Sequence, residues 1–269
     1  MKVQNKIAVV TGGGSGLGQQ LVLILLERGA TVAAVDINLS GLEATKNLAG
    51  NFSSRLSVHQ TDISCRDSVS QLVRDVIQHH GTVDCVINNA GIIHPFKPIM
   101  ELDNGLIERI FNVNLYGVIN IIKSFLPLLI ERPEAHIVNV SSMGGIFAFP
   151  GQSIYGASKA AVKLIAEGLL TELRGTNVGV TVVYPGALAT DITKNCGAYD
   201  KKFDKAQKIY GGTPPKVAAQ RIIDGIEKNK FRVLIGVDAR VLTILYRIFP
   251  KLAILLVDKG MRLATAERA

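Results

Sequence analysis

The class of fold is set by residues 7–18, which read Ile7-Ala8-Val9-Val10-Thr11-Gly12-Gly13-Gly14-Ser15-Gly16-Leu17-Gly18. The apolar run at its start has no polar alternation, which is typical of a strand buried on both faces of a parallel sheet. The glycines permit a tight turn and a close backbone approach, and the helix that follows offers free N–H groups to an anion. This order of strand, turn and helix predicts a site for the pyrophosphate of a dinucleotide. We assign to that site Gly12, Ser15, Gly16, Leu17 and Gly18.

Asp36 indicates which dinucleotide would bind. It ends a second apolar run, residues 31–36, about 20 residues after the glycine turn. A carboxylate there can accept hydrogen bonds from the adenosine ribose, whereas a 2′-phosphate would meet its negative charge. Neither Ile37 nor Asn38 supplies a compensating cation, although Arg66 or a residue distant in sequence remains an alternative source. We therefore predict NAD rather than NADP, with a turn-capping role for Asp36 as the purely structural alternative.

The remaining chain alternates between strand and helix patterns. We predict strands near residues 6–11, 31–36, 56–61, 83–88, 135–140, 178–184 and 231–236, and helices near 16–28, 40–49, 65–79, 103–130, 153–174 and 216–228. This alternation predicts an α/β fold: one doubly wound domain of Rossmann type over residues 1–269, with a parallel sheet of about seven strands and helices on both faces. Such a sheet binds its ligands at the carboxyl ends of the strands.

A second group of residues carries acid–base chemistry. Tyr155 and Lys159 are four residues apart on a predicted helix and so share one face, and Ser142 follows a predicted strand 13 residues before Tyr155. We expect the Lys159 ammonium to lower the pKa of the phenol from its usual value of about 10. Tyr155 would then exchange a proton with an alcohol or alkoxide, and Ser142 would donate a hydrogen bond to the same oxygen.

In their joint order these motifs resemble the short-chain dehydrogenase/reductase family, from Lys6 to about Thr190. The further positions that match are Asp62-Ile63, Asn88-Asn89-Ala90-Gly91, Asn114, Pro185-Gly186 and Thr190. The resemblance implies that Asn114, Ser142, Tyr155 and Lys159 are catalytic, with Asn114 holding a water that links Lys159 to solvent. It implies cofactor contacts at Asp62 and Ile63 for adenine, at Asn89, Ala90 and Gly91, at Pro185, Gly186 and Thr190 beside the nicotinamide, and at Tyr155 and Lys159 for ribose.

The substrate is expected to be a lipophilic secondary alcohol or its ketone, because the predicted pocket walls are mostly apolar: Gly144, Ile146, Phe147, Phe149, Ile93 and Leu188. Residues 190–213 resemble the substrate-covering loop of the family. Lys194, Lys201 and Lys202 in that loop leave open a thioester-linked ketone carrying a phosphate. A dinucleotide-binding scaffold without turnover is a further alternative, which the intact pair Tyr155 and Lys159 disfavours.

Other side chains indicate no metal site. Cys65, Cys85 and Cys196 are widely spaced and fit no ligand pattern, which suits a reducing compartment. We interpret His94, which follows the asparagine-rich motif, as a solvated loop histidine rather than a substrate contact. The chain begins almost directly with its first strand, without a basic and then apolar leader, so a cytoplasmic location is expected.

The C-terminal extension, residues 238–269, is both apolar and basic, and the full chain carries a formal net charge of +8. Arg247, Pro250 and Lys251 interrupt its apolar run and argue against a membrane-spanning helix. We expect a cover over the substrate cleft or a contact between subunits, with peripheral contact to an anionic membrane as the alternative. A homo-oligomer is implied by the family resemblance. Nucleic acid is not an expected partner, because no recognised binding module is present.

Overall fold

The computed structural model describes residues 1–190, 192–198 and 212–265, apart from the side chains at positions 194, 264 and 265. Seven strands form one sheet, in the order β3-β2-β1-β4-β5-β6-β7, and every pairing between neighbours is parallel. The strands are β1 (Ile7–Thr11), β2 (Thr31–Asp36), β3 (Leu56–Gln60), β4 (Cys85–Asn88), β5 (Ala135–Val140), β6 (Val178–Pro185) and β7 (Arg232–Ile235).

Ten α-helices lie within the described residues. They are α1 (Gly16–Glu27), α2 (Leu39–Ala49), α3 (Arg66–His80), α4 (Asn104–Phe111), α5 (Val118–Ile130), α6 (Ser153–Glu172), α7 (Ile192–Asn195), α8 (Pro215–Glu227), α9 (Val237–Ile248) and α10 (Pro250–Thr265). Short 3₁₀ segments occupy Gly50–Arg55, Ile99–Glu101 and Met143–Gly145, and a π-helical segment, Asn112–Gly117, joins α4 to α5.

The helices cover both faces of the sheet and create two apolar cores. One core is built from α1, α2 and α8 against one face, and includes Leu21, Val32 and Ile222. The other is built from α3, α5 and α6 against the opposite face, and includes Phe125 and Val162. All six residues of β5 are buried, because a central strand of a parallel sheet contacts helices above and below. The predicted single doubly wound domain with seven parallel strands is confirmed.

The order of the strands positions the site. The chain moves outward from β1 to β2 and β3 on one side, and from β4 to β7 on the other, so a crevice opens at the carboxyl ends of β1 and β4. Gly12 follows β1 and Asn89 follows β4 directly. The sheet topology therefore brings the glycine turn and the asparagine-rich motif to the two sides of one crevice.

The helix predicted at 103–130 is interrupted by the π-helical segment 112–117. The whole helical run, Asn104–Ile130, is long and apolar enough to cross a membrane by length and composition. However, α5 packs in the second core through Ile121, Phe125 and Leu129, all fully buried. A helix in the core of a domain meets the same criteria, so this finding is weak support for a membrane span.

The C-terminal extension folds as two helices, α9 and α10, which pack against each other. We call this pair the C-terminal hairpin. Its inner side joins a third apolar cluster, in which Ala239 and Val257 pack with Met143 and Phe147. Because Met143 follows Ser142 directly, the hairpin covers the segment next to the predicted catalytic serine. Most of the predicted substrate loop, residues 190–213, lies outside the described residues, including Lys201 and Lys202.

Candidate active site

The glycine turn has the shape that its sequence predicts. Gly12 has a φ of +71°, and a Cβ atom there would lie 2.8 Å from Asn89 Nδ2. A Cβ atom on Gly18 would collide with the carbonyl oxygen of Gly12. Glycine at both positions therefore allows α1 to begin directly against the end of β1. The side chain of Ser15, the N-cap residue, makes no capping hydrogen bond, so α1 presents its first N–H groups toward the crevice edge.

Thr11 links this turn to the end of β4 through hydrogen bonds. Its hydroxyl oxygen accepts hydrogen bonds from the backbone N–H groups of Asn89 and Ala90, both at 3.0 Å. In return, the Asn89 side-chain amide donates to the Thr11 carbonyl oxygen at 3.0 Å. Thr11 is not among the site residues predicted from the sequence. Its place as the last residue of a strand and the first of the glycine motif was the available signal.

Asp36 borders the glycine turn, as predicted for a residue that recognises ribose. One carboxylate oxygen accepts from the backbone N–H of Gly14 at 2.9 Å, and the other accepts from Asn38 N–H at 3.0 Å. The carboxylate is only half-buried. It therefore both braces the turn and keeps lone pairs available on its exposed side.

Asp62 and Ile63 follow β3, the neighbour of β2 in the sheet. The Asp62 carboxylate accepts from both the backbone and the hydroxyl of Ser64, at 2.9 and 2.7 Å. Ile63 is buried, and its side chain fills the space where Gly117 lacks one. Both residues thus lie at the same edge of the sheet as Asp36.

The segment after β6 approaches the turn from the other side. A Cβ atom on Gly16 would lie 3.5 Å from Thr190 Cγ2, so Thr190 lies next to the start of α1. Pro185 ends β6, and the carboxylate of Asp238 packs closely over Gly186 while accepting from Ala187 N–H at 2.9 Å. Asp238, in the first turn of α9, was not predicted, because it lies 51 positions from Ala187 and no local pattern links them.

Ser142 and Tyr155 converge around Gly144. A Cβ atom on Gly144 would lie 3.4 Å from Ser142 Oγ, 3.5 Å from Tyr155 Cε1 and 3.7 Å from Phe149 Cδ2. These contacts bring the predicted proton-transfer group and the predicted oxygen-binding hydroxyl to one side of a cleft lined by an aromatic ring.

Lys159 lies behind this pair, one helical turn along α6. It is buried, and its ammonium group donates to the Val140 carbonyl oxygen at 3.0 Å. A Cβ atom on Gly91 would lie 2.9 Å from Lys159 Nζ and 3.3 Å from Asn114 Oδ1. The ends of β4 and β5, the π-helical segment and α6 therefore meet at the Lys159 ammonium.

The predicted lowering of the pKa of Tyr155 is wrong. Burial raises the pKa of the Tyr155 phenol, and the hydrogen bond from Ser142 opposes this rise without reversing it. Burial also lowers the pKa of Lys159 to about 8, because the surrounding protein disfavours the charged ammonium. Desolvation thus acts on both groups more strongly than the attraction between the ammonium and a phenolate.

Asn114 is fully buried in the π-helical segment. Its side-chain oxygen accepts from Ile92 N–H at 2.8 Å, and its amide donates to the Ile92 carbonyl at 2.9 Å and to Ser158 Oγ at 3.0 Å. Ser158 in turn donates to the Tyr155 carbonyl at 2.7 Å. Asn114 therefore ties the strand end after β4 to the first turns of α6, which carry Tyr155 and Lys159.

The prediction that His94 is a solvated loop residue is wrong. His94 is fully buried, and its Nε2 accepts from the backbone N–H of Tyr155 at 3.4 Å. The ring then carries its proton on Nδ1, which lies 2.7 Å from the Pro95 carbonyl oxygen. Gln152 donates to the His94 carbonyl at 2.6 Å and holds the loop in place. The loop folds over the N-terminus of α6 because the N–H groups of a first helical turn need partners from outside the helix.

The predicted apolar walls are only partly at the cleft. Phe149 lies beside Ser142 and Tyr155, as the distances around Gly144 require. Phe147 is buried and instead stacks between Phe149 and Tyr246 of the C-terminal hairpin, at ring distances of 5.3 and 5.6 Å. Leu188 packs against the core on the α1 side of the sheet. The aromatic pair thus joins the cleft wall to the hairpin that covers it.

The residues present fit a dinucleotide. Glycines occupy the positions of the turn at which a Cβ atom would be crowded by neighbouring atoms. Helix α1 begins at the end of this turn, and the half-buried Asp36 carboxylate lies beside the turn. Gly12, Gly16 and Gly18 would hold the pyrophosphate, and Asp36 the adenosine ribose. Within residues 1–190, 192–198 and 212–265, no group of three or more His, Cys, Asp or Glu side chains could hold a metal ion.

Comparison with known proteins gives the class. Residues 6–201 match the family model described as short chain dehydrogenase. The chain belongs to the short-chain dehydrogenase/reductase family and is an oxidoreductase of that family, as the motifs predicted.

Two relatives cover nearly the whole chain. SadH of Mycobacterium tuberculosis (strain ATCC 25618 / H37Rv), which bears the name of an oxidoreductase, is 36% identical over 255 residues, 91% of each chain. The 3-oxoacyl-[acyl-carrier-protein] reductase FabG of Thermotoga maritima is 34% identical over 242 residues, 88% of this chain and 98% of its own. A short-chain dehydrogenase/reductase of Burkholderia phymatum, solved with NAD, shares the fold with a TM-score of 0.85 at 24% identity, covering 94% of this chain and 96% of that one.

Proposed function

We propose that this oxidoreductase transfers a hydride between NAD and a lipophilic secondary alcohol or the corresponding ketone. The observation that carries the proposal is the convergence of Ser142 and Tyr155 around Gly144, with Lys159 buried one helical turn further along α6. Members of the family use NAD or NADP. The bound cofactor supplies or accepts the hydride, and the protein supplies the groups that act on the substrate oxygen.

Tyr155 exchanges the proton in this proposal. Burial raises the pKa of its phenol, so the group is protonated at neutral pH and is poised to donate to an oxygen that gains negative charge. Ser142 donates a hydrogen bond to the same oxygen and stabilises that charge. The Lys159 ammonium, whose pKa of about 8 keeps it mostly charged at neutral pH, favours the phenolate left behind.

Asp36 supports the preference for NAD. Its carboxylate lies 2.9 Å from the Gly14 N–H, at the edge of the glycine turn where the adenosine ribose is expected. A 2′-phosphate at that place would face a fixed negative charge. Ile37, the next residue, is largely exposed and brings no cation to offset it.

The lipophilic class of substrate is supported by the cleft wall. Phe149 lies beside both proposed catalytic side chains, and Ile93 is buried next to the fully buried His94. These described apolar side chains favour a lipophilic remainder of the substrate. We also propose that the protein is cytoplasmic and forms a homo-oligomer.

The decisive experiment removes the phenolic oxygen of Tyr155. Tyr155→Phe is expected to lower the rate of NADH formation from secondary alcohols by about 10²–10⁴-fold, the contribution of a positioned acid–base group. Binding of NAD, measured by fluorescence titration, should persist. Tyr116→Phe is the matched control, because the Tyr116 side chain is half-exposed. Equal turnover by Tyr155→Phe and the control would refute Tyr155 as the group that exchanges the proton with the substrate oxygen.

A thioester-linked ketone is the second candidate substrate, and the likeness to FabG favours it. Lys201 and Lys202, which could meet a carrier phosphate, lie outside the described residues, as does the side chain of Lys194. Reduction of acetoacetyl-thioesters but not of free ketones by the wild-type protein would select this alternative. Binding of NAD without turnover of either substrate class would instead favour a non-catalytic scaffold.

A further inference from the structure

The C-terminal hairpin has two chemically different sides. Its inner side is formed by residues such as Ala239 and Leu242 of α9 and Val257 and Met261 of α10, which pack on the segment after Ser142. At about 100° of rotation per residue, positions 237, 241, 244 and 248 lie on the opposite side of α9. The same rotation places residues 252, 255, 256 and 263 away from the packed side of α10.

The outer side of the hairpin is apolar and exposed. On α9, Val237, Val241, Ile244 and Ile248 are each more than half exposed, and Ile244 and Ile248 reach 62%. On the outer side of α10, the large exposed apolar side chains are Leu252, Leu255, Leu256 and Leu263. Scattered single exposed leucines are ordinary, but a continuous apolar surface of this kind marks an interaction site.

Cations accompany this apolar surface. Arg240, Arg247, Lys251 and Lys259 are exposed on the two helices. The acidic residues of the hairpin are directed elsewhere: Asp238 accepts from Ala187 N–H, and Asp258 pairs with Arg262 at 2.9 Å. The outward charge of the hairpin is therefore positive.

A basic cavity of about 260 Å³ adjoins the start of α9 along the edge of the sheet at β7. Five cationic side chains line it: Arg221, Lys228, Lys230, Arg232 and Arg240. Its acidic residue, Asp224, is already paired with Arg28 at 2.7 Å. Because Arg240 belongs to both the cavity and α9, the cationic cavity is continuous with the apolar outer side of the hairpin.

We propose that the outer side of the C-terminal hairpin docks on an anionic lipid bilayer. Its apolar side chains would enter the interfacial layer, while the hairpin cations and the cavity beside β7 would meet phosphate headgroups, the combination typical of interfacial helices. A second copy of the chain fits less well, since a two-fold symmetric interface would bring two copies of the same positively charged surface together. The bilayer would then supply lipophilic molecules next to the segment that follows Ser142.

Point substitutions test this better than truncation. Removing the hairpin would also remove Asp238, which braces the turn after β6, and Val257, which packs on Met143. Ile244→Ser combined with Ile248→Ser changes only exposed side chains. Met100→Ser with Leu164→Ser is the matched control, because those side chains are 94% and 61% exposed on other surfaces.

The measurement is flotation of the full-length protein with vesicles, either phosphatidylcholine alone or phosphatidylcholine and phosphatidylglycerol in equal parts. We expect the wild-type protein and the control to float with the anionic vesicles, and the Ile244/Ile248 variant to bind about a hundredfold more weakly, because each of the two buried isoleucines contributes about a factor of ten. Arg247→Gln with Lys251→Gln should weaken binding to anionic vesicles only, whereas Lys46→Gln with Lys123→Gln should not.

Three results would overturn the proposal: wild-type protein that floats with neither vesicle, equal flotation of the Ile244/Ile248 variant and the wild type, or binding that ignores vesicle charge. Light scattering identifies the competing occupant. A wild-type oligomer that does not float and that dissociates in the Ile244/Ile248 variant would assign the surface to a second copy. These readouts need no turnover, so they stand or fall separately from the proposed reaction.

Discussion

At the scale of single residues, burial governs the chemistry of the candidate site. The Tyr155 phenol and the Lys159 ammonium are each shifted toward their neutral forms, the first by a raised pKa and the second by a pKa of about 8. Spacing along a helix correctly indicated that the two residues share a face, but it contained no information on how much protein surrounds them. Desolvation depends on that surrounding protein, so its effect on the pKa was visible only in the fold.

Asp36 carries a prediction on cofactor choice. Asp36→Ala removes the charge beside the expected ribose site, so we expect the ratio of kcat/KM for NADP to that for NAD to rise by at least about tenfold, roughly 1.4 kcal/mol. Steady-state kinetics with both cofactors measure this ratio. Glu43→Gln removes an equal charge from the exposed side of α2 and should leave it unchanged. An unaltered ratio in Asp36→Ala would mean that another residue sets the preference.

His94 carries a prediction on stability and positioning. His94→Leu removes the acceptor for the Tyr155 N–H, and a buried N–H without a partner costs about 1–3 kcal/mol. We expect the free energy of urea unfolding to fall by that amount and kcat to fall with it, because Tyr155 loses a fixed backbone position. His94→Asn keeps an acceptor and should recover part of both. His79→Leu, at an exposed position, should have little effect.

At the scale of elements, neighbouring strands and helices are joined by side chains that sequence patterns do not pair. His136 of β5 is buried, and its Nε2 lies 2.8 Å from the hydroxyl oxygen of Thr181 in β6. The π-helical segment between α4 and α5 likewise directs Asn114 inward, where a regular helix was predicted. Such links depend on register between distant segments rather than on local propensity.

The His136 link predicts a loss of stability in acid. Burial first, and then the nearby N-terminal ammonium, lower the pKa of His136 to about 4, so the folded protein keeps the ring neutral while the unfolded chain takes up a proton near pH 6.5. This contribution is complete above about pH 6.5 and is lost as the pH falls from there toward about 4, by up to about 3 kcal/mol.

Urea unfolding at a series of pH values measures this effect. His136→Gln cannot take up the proton and should reduce the acid-side loss, although His59 and His80, whose pKa values are also lowered by burial, will retain part of it. His79→Gln, at an exposed site beside His59 and His80, should change the curve less than His136→Gln does, because His79 only adds to the effect of burial on the pKa values of those two histidines. If the free energy of unfolding of His136→Gln falls with pH in parallel with the wild type, His136 takes up its proton equally in the folded and the unfolded protein.

At the scale of the whole molecule, the parallel sheet brings the carboxyl ends of β1 to β6 to one edge, and the C-terminal hairpin encloses the segment after Ser142. The hairpin contacts the rest of the domain at two places. Asp238 accepts a hydrogen bond from the turn after β6, and Val257 packs with Phe147 in the segment after Ser142. The extension that the sequence indicated as a cleft cover therefore contacts both segments through its inner side.

The packing of the hairpin predicts that the same change, valine to alanine, has different effects on its inner and outer sides. Val257→Ala removes buried methyl groups from the cluster under the hairpin and should lower the free energy of unfolding by about 2 kcal/mol. It should also raise KM for long-chain substrates, because the segment after Ser142 loses support. Val241→Ala, on the exposed side of the same hairpin, should change neither quantity. Thermal unfolding and steady-state kinetics would distinguish them, and equal effects would place Val257 outside the supporting contact.

The sequence by itself determined the seven strands, the doubly wound order, the glycine turn and the residues that reach its edge, because apolar period, glycine placement and the handedness of crossovers are local or topological properties. Only the tertiary structure decided that His94 is buried over Tyr155 and that the pKa of Tyr155 rises. It also decided that Asp238 contacts the turn after β6, and that the hairpin has one apolar side packed and one exposed. Each of these depends on contacts or burial contributed by residues far apart along the chain, which spacing within a short segment cannot encode.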